Sequence, residues 1–210
     1  MSDALAGPFR PWLGERILED GPELLVVDKP SGIVVHGGGV PRADVVGRLK
    51  RVLEARGDDP YLGLHHRLDV GTSGVLAFVR NRALNAAVQR DFETGAVRKR
   101  YVAAVEPPRH LFRTDRPLVL EHRLAFDGES ARVVARGGKQ SRTSVRALER
   151  VGARVLVEAV PLTGRTHQIR AQLAAVGAPI AGDRAYGGPA AARLLLHAAA
   201  LELPGLGRRF

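Results

Sequence analysis

His65-His66-Arg67-Leu68-Asp69-Val70-Gly71-Thr72-Ser73-Gly74 runs directly into Val75-Leu76-Ala77-Phe78-Val79. The second part is a short, unbroken apolar run behind a glycine-bearing turn, the pattern of a buried strand. The first part sets a basic residue, an acid and two hydroxyls at the mouth of that strand. In an extended chain, side chains two apart point the same way, so Arg67 and Asp69 share one face and Leu68 takes the other. A cation beside an aspartate favours the carboxylate over its acid form. Gly71 and Gly74 let the backbone turn tightly, and Thr72 and Ser73 can tie such a turn to its own amides. The motif therefore offers one carboxylate at a strand end, with no second acid in reach along the chain.

Towards the N-terminus, Leu24-Leu25-Val26-Val27-Asp28 ends at Lys29-Pro30-Ser31-Gly32, and Ile33-Val34-Val35 follows. Two β-branched runs around a Pro-Ser-Gly turn predict adjoining strands. Gly37-Gly38-Gly39 lacks a following Lys-Ser or Lys-Thr and a strand–turn–helix frame, so a loop is expected there and not a phosphate cradle. Residues 43–56 carry Val45, Val46, Leu49, Val52 and Leu53 at helical spacing, with Arg48, Lys50, Arg51 and Arg56 on other faces. This predicts an amphipathic helix closed by Gly57.

Towards the C-terminus, Asn81 is the expected N-cap of a helix burying Leu84, Ala87, Val88 and Phe92 and stopping at Gly95. Residues 97–105 alternate as a strand, opening with Arg98-Lys99-Arg100 before Tyr101. A proline-marked connection, 106–117, precedes strand patterns at 118–125, 131–135, 141–149 and 154–160, with turns at Phe126-Asp127-Gly128 and Gly137-Gly138-Lys139. Thr166 is the expected N-cap of a last helix whose stripe is Ile169, Leu173 and Val176, ending at Gly177. Arg165, just ahead of that helix, is placed to meet an anion. Serial hairpins with few helices give class α+β: a mixed, mainly antiparallel central sheet with flanking helices, unlike a doubly wound nucleotide fold.

The chain has 210 residues, with 32 Lys and Arg against 22 Asp and Glu, a formal net charge of +10. That excess points to a polyanionic partner, since each phosphate contact releases counterions. The absence of cysteine excludes disulfides, thiolate nucleophiles and cysteine-ligated zinc. No signal peptide is visible at Met1–Pro8 and no apolar run reaches membrane-spanning length, so a cytoplasmic protein without a membrane partner is expected. His65 and His66 should point to opposite faces of an extended segment, with no third ligand at a zinc-like spacing, so no metal site is expected. A Ser–His–Asp hydrolase would need a Gly-x-Ser-x-Gly elbow, which is absent, and a glycosidase would need a second carboxylate.

The string from His66 to Gly74 resembles the sequence around the catalytic aspartate of the pseudouridine synthases that modify ribosomal and transfer RNA: His-Arg-Leu-Asp, two variable residues, Thr-Ser-Gly. Asp28 to Gly32, Lys99-Arg100-Tyr101, Gly164-Arg165-Thr166-His167-Gln168-Ile169-Arg170, Gly182 to Gly187 and Leu195-Leu196-His197-Ala198 are similar to the family's other motifs, in the family's order. The resemblance implies isomerisation of a uridine in RNA, ribosomal or transfer, with Asp69, Tyr101 and Arg165 catalytic. It pairs Arg165 with Asp69, lines the uracil pocket with Ile169, and adds Arg67, His66, Thr72 and Leu196 as substrate-binding residues. It implies RNA as partner and no cofactor, and it gives the Asp28–Gly32 turn a shaping role beneath the site. One catalytic domain over 1–210 is expected, as a monomer without a separate N-terminal RNA-binding module, and with a shorter C-terminal segment than is usual. An RNA-binding or RNA-folding protein on the same scaffold is the alternative.

Overall fold

The computed structural model describes residues 16–37, 44–108, 110–112 and 116–210. The expectations for Met1–Pro8, Gly38, Gly39, residue 43 and part of the 106–117 connection lie outside those residues.

Ten strands form one sheet: β1 (Ile17–Asp20), β2 (Leu24–Lys29), β3 (Ser73–Val79), β4 (Arg98–Val105), β5 (Leu118–Phe126), β6 (Ala131–Val134), β7 (Lys139–Val151), β8 (Arg154–Pro161), β9 (Leu196–Leu203) and β10 (Arg208–Arg209). Their order is β1-β2-β3-β9-β4-β8-β7-β5-β6, with β10 added to β9. Every pairing is antiparallel except β3 with β9. The class is α+β, with helices α1 (Val45–Arg56), α2 (Asn85–Thr94) and α3 (Gln168–Ala175) on the sheet.

Alternation along β2 and β3 explains why both strands are almost wholly buried. Leu25, Val27, Leu76 and Phe78 face one way and pack with Val45, Val46, Leu49 and Leu53 of α1. Leu24, Val26, Val75, Ala77 and Val79 face the other way and meet Val88 of α2, with Leu84 and Phe92 alongside. Ala87 of α2, expected inside, is exposed, because the helix offers the sheet a narrower stripe. Asn81 caps a short 3-10 turn, Arg82–Leu84, by accepting from Ala83, and α2 starts only behind it.

The second expected strand, Ile33-Val34-Val35, does not form. Its carbonyls go elsewhere: Val34 and Val35 accept from the Val45 and Val46 amides at the start of α1, at 3.0 and 3.1 Å. Helix N-termini need such acceptors, and Asp44 supplies another by accepting from Gly47. In exchange, β1 pairs with β2, a strand the sequence reading did not contain.

Beyond β4 the same sheet face carries a second apolar cluster, in which Ile169 and Leu173 of α3 pack on Ala103, Val145, Val157 and Ala159. Gln168 and Gln172 tie α3 down: Gln168 donates to the Arg142 carbonyl and Thr143, and Gln172 to the Leu120 and Ser141 carbonyls. Leu196 and Ala198, two apart on β9, enter the second and first clusters respectively, and Tyr101 packs against both. The seam between the two clusters runs beside Tyr101.

Candidate active site

The β3–β9 pairing covers only Ser73↔His197 and Gly74↔Ala198. Gly74 has φ +114°, and a Cβ there would lie 2.2 Å from the Ala198 carbonyl oxygen, so only glycine lets the strands meet. Past this joint the strands separate, and the segment leading to Asp69 takes over the vacant edge of β3. Gly63 and Val79 exchange hydrogen bonds at 2.8 and 2.9 Å, and His66 Nε2 accepts from the Ala77 amide at 3.1 Å.

The turn after Asp69 is fastened from below. Thr72 N–H donates to the Asp69 carbonyl. The Val70 carbonyl accepts from Gly32 and from Lys29 Nζ, and the Gly71 carbonyl accepts from Ser31 Oγ. Lys29 is fully buried, and its ammonium also donates to the Pro30 and Ile33 carbonyls at 2.9 Å. Burial lowers its pKa to about 8, against the pull of the Asp69 charge. The Asp28–Gly32 turn thus grips the aspartate loop directly. Thr72 Oγ1 is buried without a hydrogen-bond partner, and Ser73 Oγ meets His197 Nδ1 at 3.0 Å.

The Asp69 side chain, 26% exposed, holds Arg170 Nη1 at 3.2 Å, with His167 Nε2 at 3.8 Å. The same guanidinium forks onto Asp183, with Nε–Oδ2 at 2.7 Å and Nη2–Oδ1 at 2.9 Å, and lies 4.9 Å from the Tyr186 ring centroid. Burial works against the Arg170 charge, but the bonds and charge of Asp183, then of Asp69, outweigh it and raise its pKa above the usual arginine value. Burial and the nearby Asp69 charge raise the Tyr101 phenol well above its ordinary range. For His167, burial outweighs Asp69 and depresses the imidazole. Tyr186 Oη donates to the Ala131 carbonyl and accepts from its amide, so the His167 Nδ1–H donates to Oη at 3.1 Å. His167 Nε2 is left facing Asp69.

The expected Arg165–Asp69 pair is absent. Arg165 is exposed, its Nε donates to the Gln140 carbonyl at 3.1 Å, and Arg170 occupies the aspartate instead. The helix start also differs: Thr166 is not the N-cap; His167 is, in the left-handed conformation at φ 53°, and α3 begins at Gln168. Arg165 lies in the loop ahead of it, as expected, and Arg170, in the first turn, is the arginine that reaches Asp69. Asp183, quoted as part of a motif without a role, is the anchor the sequence reading missed; it lies 13 residues from Arg170, with no local pattern pairing the two.

The remaining expected residues divide. Arg67 is exposed and has no ion-pair or hydrogen-bond partner among the described residues, while Leu68 is buried, as alternation requires. Ile169 and Leu196 lie in the second cluster beside Tyr101. His66 serves the scaffold: it accepts from Ala77 and stacks on Phe92 at 5.3 Å, and burial lowers its pKa to about 3. The two histidines do not point apart. His65 also stacks on Phe92, at 6.4 Å, and meets Asn85 Oδ1 at 2.8 Å, because the segment is not a regular strand.

Among the described residues, a mixed sheet with a single parallel pairing carries a clamped carboxylate beside it, and this fold is that of pseudouridylate synthase domains. The structure superposes on human RNA pseudouridylate synthase domain containing 4 with TM-score 0.77, at 25% identity over 95% of this chain and 87% of that one. Human RNA pseudouridylate synthase domain containing 1 gives 0.74, at 25% identity over 93% and 80%. Residues 23–175 match the family described as RNA pseudouridylate synthase. The ribosomal large subunit pseudouridine synthase C of Escherichia coli (strain K12) is 35% identical over 210 residues, covering 93% of this chain and 64% of that protein. Its counterpart in Yersinia pestis is 36% identical over 201 residues, covering 90% and 61%. The chain belongs to the RNA pseudouridylate synthase family, and it spans less than two thirds of the length of these curated relatives.

Proposed function

We propose that this chain isomerises a uridine within RNA to pseudouridine, with Asp69 as the catalytic residue. The observation that carries the reading is the partly exposed Asp69 carboxylate, held by Arg170 and near enough to the Tyr101 phenol for its charge to act on it. The target nucleotide leaves its stack, which costs a few kcal/mol and favours loop or bulge uridines. Arg67, unpartnered beside the site, fills the vacated space or holds a phosphate. Asp69 promotes cleavage of the C1′–N1 bond, by attack on C1′ or by removal of the 2′ proton. The uracil turns and C5 bonds to C1′ as the Asp69–C1′ bond breaks or the proton returns to C2′; the C5 proton leaves and N1 gains one, so atoms balance without an oxidant. Tyr101 packs on the base and assists the C5 proton's departure. Arg170, held by Asp183, orients the carboxylate. Ile169, Leu196 and Thr72 shape the pocket from below.

The relatives' names support RNA of the large ribosomal subunit as the substrate class. RNA tritiated at uracil C5 tests the reading. Wild type should release tritium and Asp69→Ala should not; no release by wild type, or equal release by the variant, sinks it. Pseudouridine mapping in RNA from cells lacking the protein identifies the position.

A further inference from the structure

Between the β5–β6–β7 hairpins and the loop that ends at His167 lies a cavity of about 520 Å³ that does not include Asp69. That volume falls in the range of small-ligand sites, roughly 300–1,000 Å³. Its floor is apolar (Leu124, Phe126, Ala131), and its rim carries Lys139 and Arg165 with no carboxylate among the lining residues. Both cations are exposed. Lys139 has no side-chain partner among the described residues, and Arg165 uses only Nε, towards the Gln140 carbonyl. Phe126, at the end of β5, lines the cavity and is 51% exposed, so its ring is open to a ligand there.

His167 joins this cavity to the site. Its ring meets Phe126 edge-on, with centroids 6.2 Å apart, and its Nε2 is 3.8 Å from Asp69. The cavity is thus one side chain away from the carboxylate, on the scale of one nucleotide step. A half-exposed aromatic ring, an unpartnered lysine, an arginine whose terminal nitrogens are unused and no acid match one chemistry, a base with its phosphate.

We propose that this cavity is a subsite for the nucleotide adjacent to the target uridine, with its base stacked on Phe126 and its phosphate held by Lys139 and Arg165. The inference rests on the reading of Asp69 as the uridine site. It makes the substrate a strand with two neighbouring nucleotides splayed from their stack, so recognition reads more than the uridine.

Binding of pentaribonucleotides with a central uridine tests this, with 2-aminopurine placed on its 5′ or its 3′ side. On the full chain, the fluorescence of one of the two probes should be quenched. Phe126→Ala should abolish the quench and weaken pentanucleotide binding about five- to hundredfold, the range of one base–aromatic stack. Phe126→Tyr should restore both, and uridine monophosphate binding should be the same in all three proteins. Lys139→Ala should weaken the pentanucleotide and flatten its salt dependence. No quench with either probe, a quench that survives Phe126→Ala, or equal weakening of the mononucleotide overturns the subsite. Tritium release by wild type, measured in parallel, fails separately if the chain is no synthase, because stacking needs no turnover.

Discussion

Arg170 touches two carboxylates at once, and that sharing decides what substitutions there do. Its fork is spent on Asp183, and only the remaining Nη1 reaches Asp69. Lysine carries the charge but not the fork. Arg170→Lys is therefore expected to lower kcat about tenfold to hundredfold, since a displaced catalytic group loses that much, with a smaller change in KM. Arg165→Ala, at the rim, should act mainly on KM; single-turnover tritium release separates the two. Removing Asp183, whose side chain is almost fully buried, strands a guanidinium and should cost about 3 kcal/mol of stability for Asp183→Asn, read by denaturant titration. The Asp69 position was legible because a motif fixes it. Which arginine serves it was not, since Arg165 and Arg170 lie five apart in one motif and only the fold shows which of them meets Asp69 and Asp183.

The loop of residues 63–72 is an element without secondary structure that holds its shape through borrowed partners. His66 completes the edge of β3, and neutrality is a condition of that role, because a protonated Nε2 cannot accept from Ala77. With pKa about 3 folded and about 6.5 unfolded, the unfolded chain binds more protons between those values. Stability should therefore fall as pH drops from about 6.5 towards 3, by at most roughly 1.4 kcal/mol per pH unit from this group. His66→Gln keeps an acceptor and should flatten that slope in melts at several pH values; an unchanged slope would count against the assignment. Lys29 serves the same loop from the other side. Lys29→Met leaves the Pro30 and Ile33 carbonyls without their donor and takes one of two donors from Val70, and it should destabilise by about 3 kcal/mol despite removing a buried charge. The apolar runs told where β2, β3 and α1 lie, because periodicity reports burial. They could not tell that Val34 and Val35 would spend their carbonyls on a helix N-terminus, since that choice depends on what stands nearby.

For the molecule as a whole, a net charge of +10 should make RNA binding steeply salt-dependent. Arg67→Ala should reduce the slope of log affinity against log salt by about 0.7, the value for one lost contact to a single strand, measured across salt concentrations. Hairpins were readable at this scale because each is local: β5–β6 follows the Phe126-Asp127-Gly128 turn that the sequence marks, and β7–β8 joins consecutive strands, whereas β5 reaches β7 across the intervening β6. The meeting of β3 with β9 was not, since nothing local announces a partner so far along the chain.

That meeting ties Ser73 to His197 across most of the polypeptide. A ribosome that has translated the aspartate motif has made only a fragment of what its geometry requires. Arg170, Asp183 and the strand that closes beneath Gly74 are still unmade. A nascent chain should therefore stay inert until β9 has left the exit tunnel, and its catalytic centre should be among the last features to mature.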